Sequence, residues 1–279
     1  MARVFRPGNL KEALHFLDAE CAAVLAGGTD FMLKAGRCPG AEFAVLSIGH
    51  LHELKRIAID AANVLSLGAV CTLSEILESP LVPLFLKLPI AEIGSPAIRN
   101  AATVGGNVCN ASPAGDVLPM LYALNATLVL KSHSDQHEMQ IRDFIQGPGL
   151  IRIAAGQMLT EIRIPLRQTW RCTWRKVGGR RANSVSKTSF YALIDRTSRG
   201  LGDVRIALGA IAPTVVRSRE AERIILDAYR GKPSQHCTEI IALYDALISP
   251  IDDSRSSRDY RRTVSLGLLE NFLTEVMRI

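Results

Sequence analysis

The sequence predicts a two-domain protein that mixes helices and strands. Three observations support this. The chain has 279 residues, 48% hydrophobic and 22% charged, which is enough for two modest cores with ordinary globular composition. Up to Pro165, short apolar runs that end in glycine, proline or polar residues alternate with stretches whose apolar residues recur at helical spacing. From Trp170 onward the pattern changes to alternating polar and apolar residues followed by helical segments. This places a boundary near residue 169 and divides the chain into 1–169 and 170–279.

Asn9 precedes Leu10, Ala13, Leu14 and Leu17 at helical spacing, and Glu12 is placed to reach back, so a capped helix begins near residue 10. Ala22 to Ala26 reads as a strand broken by Gly27-Gly28-Thr29-Asp30, after which Phe31 to Ala35 can resume helix. With a second strand over Phe43 to Ser47, the first 50 or so residues form a small βαβ-type unit. Val64 to Gly68 is a strand, and Thr72-x-x-Glu75 marks a helix start by reciprocal capping. Gly94 to Pro119 is dense in Gly, Pro, Asn and small residues, which predicts a long functional loop. Val117 to Leu124 then reads as helix, Ala126 to Lys131 as strand, and Met158 to Ile164 as a half-buried strand stopped by Pro165. Past the boundary come a strand over Val204 to Ile211 and helices near Arg217, Thr238 and Arg258; no internal repeat is evident.

The formal charge of +6 is carried by Arg and Lys scattered among 27 acidic residues, and aromatic content is 5%. A nucleic-acid surface would gather its cations and interleave them with aromatics, so no nucleic-acid partner is expected. Six cysteines lie far apart without a Cys-x-x-Cys pair, which fits reduced thiols in a cytoplasmic protein. Met1 to Pro7 lacks the basic and apolar segments of a signal peptide. The most apolar stretch, Leu81 to Ile98, is interrupted by Pro83, Lys87, Pro89, Glu92 and Pro96, so no membrane span is expected. His133 and His137 are four apart in a polar stretch with no third ligand near, which reads as a surface loop rather than a metal site.

Two glycine turns carry the chemistry: Ala26-Gly27-Gly28-Thr29-Asp30 and Thr103-Val104-Gly105-Gly106-Asn107. A diphosphate needs several donors converging on it without side chains in the way, and paired glycines let backbone N–H groups approach in positive-φ conformations. A helix starting after Asp30 would add its free N–H groups and positive dipole end, and Thr29, Thr103 and Asn107 add short polar side chains. Taken singly, each pair is more often plain turn chemistry. Neither G-x-x-x-x-G-K-[ST] nor a strand-placed G-x-G-x-x-G is present, so the binding mode is of another kind.

The first turn, together with the run from Ile98 through Thr103-Val104-Gly105-Gly106-Asn107 to Asn110-Ala111-Ser112-Pro113-Ala114-Gly115-Asp116, resembles the FAD-binding medium subunit of the xanthine dehydrogenase and carbon monoxide dehydrogenase family. Met158-Leu159-Thr160-Glu161-Ile162-Arg163-Ile164-Pro165 and Ser249-Pro250-Ile251-Asp252-Asp253 with Arg255, Ser257, Tyr260 and Arg261 extend the likeness over nearly the whole chain. The resemblance implies an α+β fold: an FAD-binding domain of the vanillyl-alcohol-oxidase-like (PCMH) type in two α/β subdomains, then a smaller domain with an antiparallel sheet and helices. It implies FAD as the cofactor. It also implies partners: a molybdopterin-binding large subunit that hydroxylates the substrate and a small subunit with two [2Fe–2S] clusters, assembled as a dimer of heterotrimers. The flavin subunit would pass electrons to NAD⁺ or another acceptor.

Carried over by position, Val24, Leu25, Ala26, Gly27, Gly28, Thr29, Asp30 and Phe31 would embrace the pyrophosphate, and Thr103, Val104, Gly105, Gly106 and Asn107 would close on it. Asp116 would hold an FAD hydroxyl or amino group, or cap the helix at Val117. Ile93 and Leu159 would line the cofactor with apolar surface. Lys187 would place a cation near the flavin ring and favour negative charge there on reduction. Two other readings stay open: a self-contained flavin oxidase of the same fold, and a scaffold without flavin.

Overall fold

The computed structural model describes residues 3–31, 44–198, 200–229 and 236–277. The chain forms two compact units, one made of Met1–Pro83, Gly94–Ser112 and Asn125–Leu166, the other of Leu84–Ile93, Pro113–Leu124 and Arg167–Ile279. The division is therefore not a single cut in the sequence: residues 84–93 and 113–124 belong with the C-terminal part. Among the described residues no helix is long and apolar enough to cross a membrane.

The first unit holds a three-stranded parallel sheet of β1 (Arg3–Phe5), β2 (Ala22–Leu25) and β3 (Ala44–Ser47), with β3 in the middle. The helix Leu10–Ala19 begins at Asn9, whose side chain accepts from the Glu12 amide, and it buries Ala13, Leu14 and Leu17 against Leu46, Ile48, Leu51 and Leu54. The expected helix past Phe31 and the position of Phe43 lie outside the described residues. Next come β4 (Ile57–Ile59), β5 (Val64–Gly68), β6 (Thr127–Lys131), β7 (Gln136–Gln140), the short pair β8 (Ile145–Gly147) and β9 (Leu150–Ile151), and β10 (Met158–Pro165). Five of them form an antiparallel sheet in the order β4-β5-β10-β6-β7. His137 lies on β7 opposite Leu130 and not in a loop, because Ser132 and Asp135 close a tight hairpin turn just before it.

The stretch from Gly94 to Pro119 is not the open loop its composition predicts. It holds the helices Pro96–Ala101 and Val104–Asn110 and the start of Val117–Ala123. Capping overrides composition here: the Ser95 and Thr103 hydroxyls accept from the Ile98 and Gly106 amides, and Pro96 sits at the first helical position.

The second unit is built on β11 (Trp170–Gly178), β12 (Ser186–Thr197) and β13 (Gly200–Gly209), an antiparallel meander. The helices Arg219–Tyr229, Cys237–Leu247 and Arg258–Met277 pack on it through Ile225, Tyr244 and Phe272. Every residue of the helix Val117–Ala123 is buried in this unit. Its C-terminal carbonyls are claimed by cations: Arg217 Nη1 donates to Tyr122 O (2.6 Å) and Ala123 O (3.1 Å), and Arg205 Nη1 to Ala123 O (3.1 Å). Guanidinium groups at this end satisfy carbonyls that lack a helical partner and oppose the negative pole of the helix dipole. Arg217 is held in turn by buried Glu222, at 2.8 Å from Nε and 3.0 Å from Nη2, while Glu222 also accepts from the Ile206 amide at 2.9 Å.

This arrangement makes Arg217 the keystone of a buried charge pair. Arg217→Met leaves the buried Glu222 carboxylate without its cation and takes one donor from each of the Tyr122 and Ala123 carbonyls, and is expected to lower the unfolding free energy by about 3–5 kcal/mol in urea titration. A loss within the roughly 0–1 kcal/mol of an exposed pair would show that the pair does not hold the helix.

Candidate functional site

The two glycine turns are brought together by main-chain contact. β5 ends at Gly68, and the segment after it is knitted to the chain around Thr103: Val104 N donates to Cys71 O (3.0 Å), Gly105 N to Ala69 O (2.9 Å) and Leu73 N to Ala102 O (2.9 Å). A Cβ on Gly105 would stand 2.5 Å from the Ala69 carbonyl oxygen, so only glycine permits this approach. The first turn meets the same segment one step earlier. A Cβ on Gly27 would collide with the Ala101 carbonyl, so the two stretches of backbone lie against each other with no side chain between them.

The turns differ in conformation from the shared positive-φ geometry expected of them. Gly28 alone among their glycines takes a left-handed conformation, at φ 73°. Gly105 and Gly106 lie in the first turn of the helix Val104–Asn110, whose N-cap Thr103 accepts from the Gly106 amide at 3.1 Å.

Beside these turns opens a cleft of about 720 Å³, within the first unit. That is within the size range of ligand-binding clefts, about 300–1,000 Å³. Val24, Leu25, Ala26, Gly27, Gly28, Thr29, Asp30 and Phe31 line it, as do Thr103, Gly105, Gly106, Asn107 and Leu159. Leu159 reaches it where the pairing of β10 with β6 shifts register, while the next residue, Thr160, anchors the strand by donating to Val129 O at 3.1 Å. Val104 is the exception among the glycine-turn residues: it is fully buried and does not line the cleft. The Asn107 Oδ1 atom is buried without a hydrogen-bond partner, so one wall carries an acceptor that lacks a donor. Burial pushes the Cys109 thiol up to about 12, so this wall offers no thiolate nucleophile.

Sequence reasoning missed part of the lining, namely Asp18 to Cys21 at the end of the first helix and the segment Ile153 to Met158. One signal was available: Gly156, at φ 74°, marks a tight turn just before β10.

Ile93, Asp116 and Lys187 lie in the second unit, where two side chains absent from the expected set draw their surroundings together. Lys176 on β11 donates from Nζ to Asp116 Oδ2 (2.7 Å) and to the carbonyl of Glu92 (2.9 Å), the neighbour of Ile93. Ser186, the neighbour of Lys187, donates to Asp116 Oδ1 at 2.5 Å. Asp116 stands at the N-cap position of the helix Val117–Ala123 but makes no capping hydrogen bond, which corrects the capping alternative. The Lys176–Asp116 pair is 6% exposed on each side. Burial pushes the Asp116 carboxyl above its usual range, while the Lys176 charge and the Lys176 and Ser186 hydrogen bonds pull against that. The Lys187 ammonium stands 4.9 Å from the ring centre of Tyr260, and its backbone carbonyl accepts from Arg261 at 2.9 Å. Lysine is rarely buried, which is why Lys176 was not singled out from sequence.

Residues 1–167 match the family described as the FAD binding domain in molybdopterin dehydrogenase, and residues 175–276 match the CO dehydrogenase flavoprotein C-terminal domain. The glyceraldehyde dehydrogenase medium chain of Sulfolobus acidocaldarius is 31% identical over 97% of this chain and 96% of its own. The xanthine dehydrogenase FAD-binding subunit of Escherichia coli O157:H7 is 24% identical over 99% and 96%. Among solved structures, a reconstituted CO dehydrogenase from Oligotropha carboxidovorans superposes with a TM-score of 0.89 at 22% identity, covering 97% of this chain and 96% of that one, and shares its α+β fold. The cleft fits the cofactor that the family name states: it pairs bare backbone with a buried acceptor, as a ligand bearing both phosphates and hydroxyls requires. The chain belongs to the FAD-binding family of the molybdopterin dehydrogenases, and it is an oxidoreductase subunit whose cofactor is FAD.

Proposed function

We propose that this subunit is the flavin stage of a molybdenum hydroxylase: it takes electrons from [2Fe–2S] clusters on a small partner subunit and delivers them to NAD⁺ or another acceptor. A molybdopterin-binding large subunit completes the heterotrimer, two heterotrimers pair, and the complex works in the cytoplasm. The observation that carries the reading is the cleft in which the two glycine turns meet through bare backbone. The relatives' names, a medium chain and an FAD-binding subunit, support its place in a larger assembly.

When bound, FAD supplies a ring that accepts and releases electrons. The chain's part is to hold and tune it. Val24 to Phe31 takes the pyrophosphate from one side and Thr103 to Asn107 from the other, with close backbone approach at Gly27 and Gly105 and the left-handed turn at Gly28. Val104 serves from behind, fixing the second turn through its N–H on the Cys71 carbonyl. The Asn107 amide oxygen accepts from a cofactor hydroxyl, because a phosphate offers it no donor. Leu159 and Ile93 present apolar surface. Asp116 accepts from a hydroxyl or amino group. Lys187, steered by the face of Tyr260, keeps positive charge near the flavin ring.

Three outcomes test this. Gly27→Ala forces the two turns apart, so the purified protein should lose most of its flavin absorbance near 450 nm (about tenfold, as for a ΔΔG near 1.4 kcal/mol); full flavin content would remove the cradle. Lys187→Met should lower the flavin midpoint potential by about 30 mV, the two-electron equivalent of a tenfold shift, in spectroelectrochemical titration. An unchanged potential would end the electrostatic role. Affinity purification of the tagged chain from its own cells should recover molybdenum, iron and flavin together, and NAD⁺ should reoxidise the substrate-reduced complex. Recovery as a free monomer would count against the assembly.

A further inference from the structure

We infer that Lys176 is a positioning residue for the cofactor: its ammonium, with the Ser186 hydroxyl, fixes the Asp116 carboxylate in the one orientation from which it accepts a hydrogen bond from an O–H or N–H of FAD. The inference rests on the proposal that Asp116 contacts FAD, and deepens it.

The geometry is specific. An ammonium has three donors and no acceptor. Lys176 spends one donor on Asp116 Oδ2 at 2.7 Å and another on the Glu92 carbonyl at 2.9 Å, so it ties the chain beside Ile93 to Asp116. Ser186 takes the other carboxylate oxygen at 2.5 Å. Turning the carboxylate about its Cβ–Cγ bond would break both contacts, so its plane is set by two residues of the sheet.

The same contacts restrict what Asp116 can bind. A carboxylate offers about four acceptor sites, and the protein fills two of them. The remainder can only accept, which selects a hydroxyl or amino group and rejects a phosphate oxygen. Asp116 enters the helix with its own backbone already helical (φ −67°, ψ −20°), so its side chain does not turn back onto the first-turn amides, and both of its hydrogen bonds go to residues distant in sequence, Lys176 and Ser186.

The test uses the full-length chain with whatever partner subunits it retains, stripped of flavin and titrated with FAD by fluorescence quenching. Lys176→Met, Lys176→Arg, Ser186→Ala, Asp116→Asn and the double variant Lys176→Met/Asp116→Asn are compared, with thermal unfolding of each apo-protein recorded alongside. Asp116→Asn and Lys176→Met should each weaken FAD about tenfold, the scale of one charge-assisted hydrogen bond. The double variant should be no weaker than Asp116→Asn alone, and Lys176→Arg should recover part of the loss. If the two losses multiply in the double variant, or if only the melting temperature moves, Lys176 is merely structural and the inference is overturned. If Asp116→Asn leaves FAD affinity unchanged, the reading of Asp116 itself fails, and the inference falls with it. Should Lys176→Met not fold, Ser186→Ala carries the same cycle: a loss of about threefold that vanishes in the Asp116→Asn background supports the inference, and a loss that persists there overturns it.

Discussion

Backbone meets backbone where the Gly27 turn lies against the Ala101 carbonyl, and the cleft depends on that contact. Two segments more than seventy residues apart in sequence can share a wall only if nothing projects between them. Each is then fixed from its far side. The chain around Thr103 is sewn to the end of β5 through the Cys71 and Ala69 carbonyls, and the first turn continues β2, which pairs in parallel with β3. The cleft is thus a property of two sheets in one unit rather than of a flexible loop. That is the kind of support a site needs if its donors are to be in place before the ligand arrives.

The second unit solves a different problem, that of burying charge. Its enclosed helix Val117–Ala123 has an acid at its start and two guanidinium groups at its end, the signs that the helix dipole favours. Each of these charges is paired: Asp116 with Lys176, Arg217 with Glu222, and Arg205 with Asp203. Buried pairs of this kind contribute little net stability compared with an apolar core, but removing one partner is costly. They fix orientation more than they add strength.

Much of this was legible in the sequence because it is local. Asn9 and the Thr72-x-x-Glu75 box cap the helices they predict, and Met158 to Ile164 lies in a strand. The family likeness gave the turn residues, and twelve positions of it besides Leu159 line the cleft, with Val104 held behind. What stayed hidden is non-local. β11 and β12 showed only alternation: Gly178, Gly179 and Asn183 mark the turn between them, but the strand lengths and register are set by their pairing with each other. The helices between Gly94 and Pro119 were masked by low-propensity glycine and asparagine, although Ser95 and Thr103 cap them. Lys176 was invisible because a lysine in a polar stretch looks like surface until the strand beneath it is known.

The interleaving of the two units also bears on how the chain is made. The ribosome releases Val117–Ala123, a helix buried on every side, before β11 to β13 and Arg217 exist to cover it. Until the last third of the polypeptide emerges, that apolar segment and its unpaired Asp116 have no home. The first unit cannot finish cleanly either, because its own strand β6 follows the orphan helix. A nascent chain of this design keeps an apolar helix uncovered midway through synthesis, the kind of transient exposure that makes partly folded chains prone to aggregate.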